Sequence, residues 1–239
     1  MIRARPAGKL LVAGFYTLYM CRRIVQASAL GDARGRAEVR AWAAGLRGRL
    51  GIEVRARGME RVDWSRPYVI MANHSSYLDV LALYSALPDI VGFIAKKELY
   101  RVPVFSGVLR AVGCVPVDRR RHEEAVSALA EAARRVRGGA SIAIFPEGTR
   151  SPGDRILPLK KGPFHLLQMA GVDILPVGIR GAGALMPREN TGIRSGVIEV
   201  HAGAPLPPPP PGDDAARATL AERVREELSR LAALPRLSA

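Results

Sequence analysis

His74 and Asp79 are the two residues in this chain whose types and spacing suit proton transfer. They stand five apart in Asn73-His74-Ser75-Ser76-Tyr77-Leu78-Asp79. On a regular helix that spacing turns two side chains about 140° apart, so the pair meets only if the histidine lies outside the helix that carries the aspartate. The flanking residues supply that arrangement. Tyr68-Val69-Ile70 is a β-branched and aromatic run that predicts a buried strand ending just before His74. Val80, Leu81, Leu83, Tyr84 and Leu87 recur at helical spacing, and Ser76 with Asp79 is an S-x-x-D helix start. Ser76 is expected to cap the helix, with the Asp79 carboxylate leaning back toward an imidazole N–H. A carboxylate there fixes the tautomer and supports the imidazolium that forms when the other nitrogen takes a proton.

An isolated His and Asp would be an ordinary loop residue and first-turn acid. A second stretch changes that reading. Ser141-Ile142-Ala143-Ile144-Phe145 predicts another buried strand and runs into Pro146-Glu147-Gly148-Thr149-Arg150. Pro146 presets the backbone and Gly148 admits a positive φ, so a sharp turn presents Glu147 and Arg150 at a strand end.

Further strands are expected at Ile52–Arg57, on a sheet edge, and at 89–95, 114–117, 174–179 and 197–200. Helices are expected at 122–137, from 160 through Met169, and at 213–234. This alternation predicts an α/β fold: a mixed, largely parallel sheet flanked by helices, with functional residues in loops at strand ends. Three regions follow: 1–50 as N-terminal helices, 51–204 as the chemical domain, and 205–239 as a stiff proline-rich linker with a C-terminal helix.

The totals bound the partners. The 239 residues are 48% hydrophobic, enough for one large core, and carry 36 Lys+Arg against 22 Asp+Glu, a net +14. Such an excess favours an anionic partner. Aromatics make up only 5%, and no basic run interleaves with them, so nucleic acid is set aside in favour of an anionic membrane surface or a phosphorylated substrate. The two cysteines, Cys21 and Cys114, have no metal-ligand spacing, and no metal is expected.

Arg3, Arg5 and Lys9 precede an apolar run from Leu10 to Cys21, which is too short to span a bilayer. Ala27-Ser28-Ala29 imitates a cleavage site, but Arg22 and Arg23 intervene, which favours a retained anchor with Tyr16 and Tyr19 near the interface. The next helix aligns Val39, Trp42, Leu46 and Leu50 among arginines. It is either a structural helix on the core or a second membrane contact, and Trp42 tilts the expectation to the membrane. The two form an expected membrane-associating helical pair.

Asn73-His74-Ser75-Ser76-Tyr77-Leu78-Asp79 and Phe145-Pro146-Glu147-Gly148-Thr149-Arg150 together resemble the N-H-x-x-x-x-D and F-P-E-G-T-R motifs of the glycerolipid acyltransferases, specifically the 1-acylglycerol-3-phosphate O-acyltransferases. Lys97-Glu98-Leu99, Pro103, Gly107, Gly113 and Asp118-Arg119 look like that family's second block, and Ile174-Leu175-Pro176-Val177 like its fourth. The resemblance runs from about Tyr68 to Gly181. It implies transfer of a fatty acyl chain from acyl-coenzyme A or acyl carrier protein to the 2-hydroxyl of lysophosphatidic acid, giving phosphatidic acid, with no cofactor. The implied place is the cytoplasmic face of the inner membrane, peripheral or monotopic.

On this reading His74 is the general base, oriented by Asp79. Arg150 grips the acceptor's phosphate, because guanidinium forks match phosphate oxygens, and Lys97 is the second contact by resemblance. Glu147 either bonds a glycerol hydroxyl or holds the turn, with Gly148 and Thr149 completing the motif. Asn73, Lys96, Arg119, Lys160 and Lys161 are further candidates, for which a solvated charge or structural role is the plain alternative. No G-x-S-x-G elbow is present, which favours direct transfer over an acyl-enzyme. Other readings are the same chemistry on glycerol 3-phosphate, another lysophospholipid or an aminoacyl lipid; a lipase-like hydrolase; and a non-catalytic binding protein.

Overall fold

The computed structural model describes residues 6–118, 120–152, 155–189 and 192–236. In chain order these form α1 (Pro6–Ala29), α2 (Asp32–Leu50), β1 (Ile52–Arg57), β2 (Val69–Ala72), α3 (Leu78–Ala86), β3 (Gly92–Lys96), α4 (Phe105–Ala111) and β4 (Val115–Val117). Then come α5 (His122–Arg137), β5 (Ile142–Ile144), α6 (Gly162–Ala170), β6 (Ile174–Arg180), α7 (Ala182–Leu185), β7 (Gly196–Ala202) and α8 (Asp214–Ala232). The strands make one seven-stranded sheet ordered β1-β7-β6-β2-β5-β3-β4. All neighbours pair parallel except β6 and β7. The expected α/β architecture and its mixed, largely parallel sheet are observed.

β2 lies in the middle and is buried along its whole length, as a strand covered on both faces must be. Its side chains alternate between two cores. Ile70 and Ala72 pack with α2 and α3 residues such as Leu46, Leu81 and Leu83. Val69 and Met71 face Ala132, Phe164, Leu167 and Leu228 of α5, α6 and α8. Met71 is in register with Ile144 on one side and Pro176 on the other, so β2 and β5 deliver their following loops to the same sheet edge.

The N-terminal helices correct part of the sequence reading. Val39, Leu46 and Leu50 of α2 are buried in the core, and Trp42 is turned inward too. The Trp42 indole N–H donates to Thr17 Oγ1 at 3.1 Å, and its ring meets Tyr84 edge-on at 6.3 Å. Trp42 therefore does not face a bilayer. Helical spacing had shown one apolar face, but not that α1 and α3 would cover it. Tyr16 packs on α2: it lies under the Arg49 guanidinium at 4.0 Å and donates to the Ala41 carbonyl. Lys9 is buried, its ammonium donating to the Leu50 carbonyl at 2.6 Å and to Ser195, which ties α1 to the C-terminus of α2. Leu11, Phe15, Leu18 and Tyr19 of α1 are exposed large apolar or aromatic residues that share one helical face. Among the described residues, no helix is long and apolar enough to cross a membrane.

The proline-rich stretch is pinned rather than free. Leu206 and Ile174 exchange backbone hydrogen bonds at 2.8 and 2.9 Å. Asp213 caps α8, accepting from the Ala216 N–H at 2.8 Å, and α8 buries Leu220, Val224, Leu228 and Leu231. A Cβ at Gly178 would lie 2.4 Å from the Leu231 backbone, so only glycine lets α8 approach β6 this closely.

Candidate active site

The loops after β2 and β5 are stitched together. The His74 N–H donates to Glu147 Oε1 at 2.7 Å, and the Ser151 N–H donates to the His74 carbonyl at 2.7 Å. His74 and Arg150, 76 positions apart in the chain, therefore belong to neighbouring turns.

His74 is fixed on two sides. Its Nδ1 lies 2.8 Å from Asp79 Oδ2, and its ring stacks on Phe145 with centroids 4.0 Å apart and planes 13° apart. Acceptance by the carboxylate places the proton on Nδ1 and leaves Nε2, which has no protein partner among the described residues, as the basic nitrogen. Asp79 Oδ2 also accepts the N–H groups of Ser75 at 2.7 Å and Ser76 at 2.8 Å. That is the expected backward reach of the carboxylate. The helix start differs in detail: Tyr77 holds the N-cap position without a side-chain bond, while Ser76 Oγ accepts from the Leu78 N–H and donates to the Met186 carbonyl at 2.9 Å. Asp79 is fully buried, and its Oδ1 makes no hydrogen bond among the described residues.

Asn73 extends the sheet by one rung made from its side chain. Its amide donates to the Ile179 carbonyl at 2.8 Å, and its oxygen accepts the Ile179 N–H at 2.6 Å. It clamps the loop to β6 where the β2 ladder ends.

Glu147 is 1% exposed. Its two oxygens accept the N–H groups of His74 and of Leu157, the latter at 2.9 Å. Of the two roles open to it, the geometry shows the one that holds the turn. Burial pushes its carboxyl up to about 7, against the opposing pull of the two N–H donors and with a smaller rise from Asp79. Gly148 takes φ 73°, and its N–H closes the turn onto the Phe145 carbonyl. Thr149 is exposed. The Arg150 guanidinium stacks over the Tyr77 ring at 4.0 Å.

The remaining cations lie farther out. Lys97 follows β3, two strands from β2 and so roughly 10 Å across the sheet. It is exposed and paired with Glu124, and Lys96 pairs with Glu98 at 3.3 Å. Lys161 stands exposed at the start of α6, after Lys160, whose N–H is held by the Pro146 carbonyl at 2.8 Å. Arg119 lies outside the described residues. A separate cleft of about 770 Å³, lined by Arg66, Arg110 and Arg135, opens where β3 and β5 begin, at the opposite edge of the sheet from His74.

Sequence reasoning did not single out Tyr77, Phe145 or Leu157, nor Arg188, which donates to the Arg150 carbonyl at 3.3 Å. Phe145 carried a signal as the first residue of the F-P-E-G-T-R motif, and Tyr77 as a large aromatic inside a polar loop.

The acyltransferase family profile matches residues 53–180. A chloroplastic 1-acyl-sn-glycerol-3-phosphate acyltransferase of Brassica napus is 36% identical over 138 residues, covering 57% of this chain and 40% of that protein. The alpha form of Homo sapiens is 33% identical over 179 residues, covering 74% and 63%. The chain thus spans less than two thirds of either relative. The crystal structure of the 1-acyl-sn-glycerophosphate acyltransferase PlsC of Thermotoga maritima superposes with a TM-score of 0.76 at 24% identity, covering 96% of this chain and 98% of that one. This is a likeness of fold.

Proposed function

The chain belongs to the acyltransferase family, and within it we propose that it moves a fatty acyl chain from a thioester to the 2-hydroxyl of 1-acylglycerol 3-phosphate, giving phosphatidic acid. The observation that carries this reading is the His74–Asp79 contact of 2.8 Å beside the turn that holds Arg150. In it, the acceptor hydroxyl gives its proton to His74 Nε2 while its oxygen attacks the thioester carbonyl carbon. The C–S bond then breaks, and the imidazolium, stabilised by Asp79, returns the proton to the leaving thiolate. Arg150 receives the acceptor phosphate. Lys97 joins by exchanging Glu124 for a phosphate oxygen. The names of the Brassica and human relatives support this acceptor.

The donor is acyl-coenzyme A or acyl carrier protein, both anionic and suited to a chain of net charge +14. The exposed apolar line of α1 lies in the headgroup boundary of an anionic membrane on its cytoplasmic face, the inner membrane in a bacterial cell, without spanning it.

The test is an acyl-transfer assay on purified protein with both donor types and a panel of lysolipid acceptors and glycerol 3-phosphate. His74→Ala is expected to lower turnover roughly 10²-fold or more with the fold retained. Arg150→Ala is expected to raise the KM of the phosphorylated acceptor more than that of the donor. Release of free fatty acid without acceptor dependence overturns the transferase reading. Equal weakening of both substrates overturns the phosphate assignment.

A further inference from the structure

We infer that Tyr77 is a positioning residue for the acceptor's phosphate, acting through Arg150. The inference rests on the reading that Arg150 grips that phosphate. A guanidinium has two ways to bind: its faces meet aromatic rings, and its edge carries the N–H donors that fork onto phosphate oxygens. Here the Tyr77 ring takes one face, with the Arg150 central carbon 4.0 Å from the ring centroid. Among the described residues no carboxylate pairs with Arg150, and its Nη1 is buried without a hydrogen-bond partner. Stacking therefore fixes the plane of the group while, among the described residues, no carboxylate cancels its charge. An ion pair would do the reverse, occupying the edge and cancelling the charge.

Tyr77 has no other visible task. It is 60% exposed, contributes no side-chain cap to α3 although it holds the N-cap position, and among the described residues its hydroxyl makes no hydrogen bond. It also sits in the six-residue loop and helix start that holds His74 and Asp79. A ring anchored there ties the phosphate grip to the base, setting how far the phosphate lies from the nitrogen that takes the hydroxyl proton. The predicted effect is on acceptor binding and register, not on proton transfer itself.

The test is steady-state kinetics on the purified full chain carrying Tyr77→Leu, Tyr77→Phe, Arg150→Ala or the Leu/Ala pair, with 1-acylglycerol 3-phosphate as acceptor. Tyr77→Leu keeps bulk but removes the π face. It should raise the acceptor KM roughly 3- to 30-fold, the range that stacking of a cation on a ring supplies, with the donor KM unchanged. Tyr77→Phe should stay within about 2-fold of the parent, because the face remains. In the Arg150→Ala background, Tyr77→Leu should add nothing. If Arg150→Ala raises the acceptor KM but Tyr77→Leu does not, the inference fails and the phosphate reading stands. If Arg150→Ala itself leaves the acceptor KM unchanged, both fail. Equal loss in the Leu and Phe variants, or a Leu effect that persists without Arg150, also overturns the stacking role.

Discussion

Replacing Glu147 with glutamine separates the charge of this side chain from its place in the turn. The carboxyl is 1% exposed and titrates near 7, against an ordinary value of 4.5. A carboxyl whose folded pKa is raised holds its proton more tightly in the folded chain. Its contribution to stability is complete below about 4.5 and is lost as pH rises through about 7. The whole gap corresponds to roughly 3 kcal/mol, of which about 2.5 kcal/mol falls between about pH 5 and pH 8. Glutamine does not titrate. Its amide satisfies one of the two N–H groups now bound to Glu147 and turns an NH2 toward the other, a cost of about 1–3 kcal/mol at every pH. The stability of the parent relative to Glu147→Gln should therefore decline by about 2.5 kcal/mol from pH 5 to pH 8. Urea unfolding of both proteins at the two pH values measures this, because other titrating groups cancel in the difference. A difference that is constant with pH, or that grows in the parent's favour, would refute the buried-carboxyl argument. The same variant should lose turnover, since the His74 backbone N–H loses an anchor 2.7 Å away.

Three further outcomes follow from the geometry. Asp79→Asn should lower turnover by on the order of 10²–10⁴ with little change in acceptor KM, because the imidazolium loses its stabilising charge; kinetics alongside a thermal melt checks this. Asn73→Ala leaves both the N–H and the C=O of Ile179 without their partner and should cost roughly 2–5 kcal/mol in chemical denaturation. Leu11→Asp with Phe15→Asp should weaken co-sedimentation with anionic vesicles by roughly 10²-fold while leaving the melting temperature in place, since both side chains are exposed. Unchanged partitioning would move the membrane contact away from α1.

The parts of the fold written in short local patterns were legible. The β-branched runs at Val69 and Ile142 marked β2 and β5, and the Pro146–Gly148 turn and the S-x-x-D helix start located both loops of the site. The contacts that hold those loops in place were not, because they join distant parts of the chain: His74 with Ser151 between the two loops, Asn73 with Ile179 and Ser76 with Met186 beyond them. Periodicity likewise found the apolar face of α2 but not what covers it, which is why Trp42 read as a membrane residue. Glu147 was ambiguous for a similar reason. Its second partner, Leu157, sits in a loop whose sequence carries no pattern.

The brace on the histidine also has an order of assembly. The Ile156 N–H, next to the residue that holds Glu147, is bound by the Pro235 carbonyl at 2.8 Å, just past the last turn of α8. During synthesis the ribosome releases His74 and Asp79 long before it releases Pro235. A nascent chain stalled before that point would carry His74, Asp79 and Arg150 yet lack the strap beside the Leu157–Glu147 hydrogen bond that anchors the His74 turn.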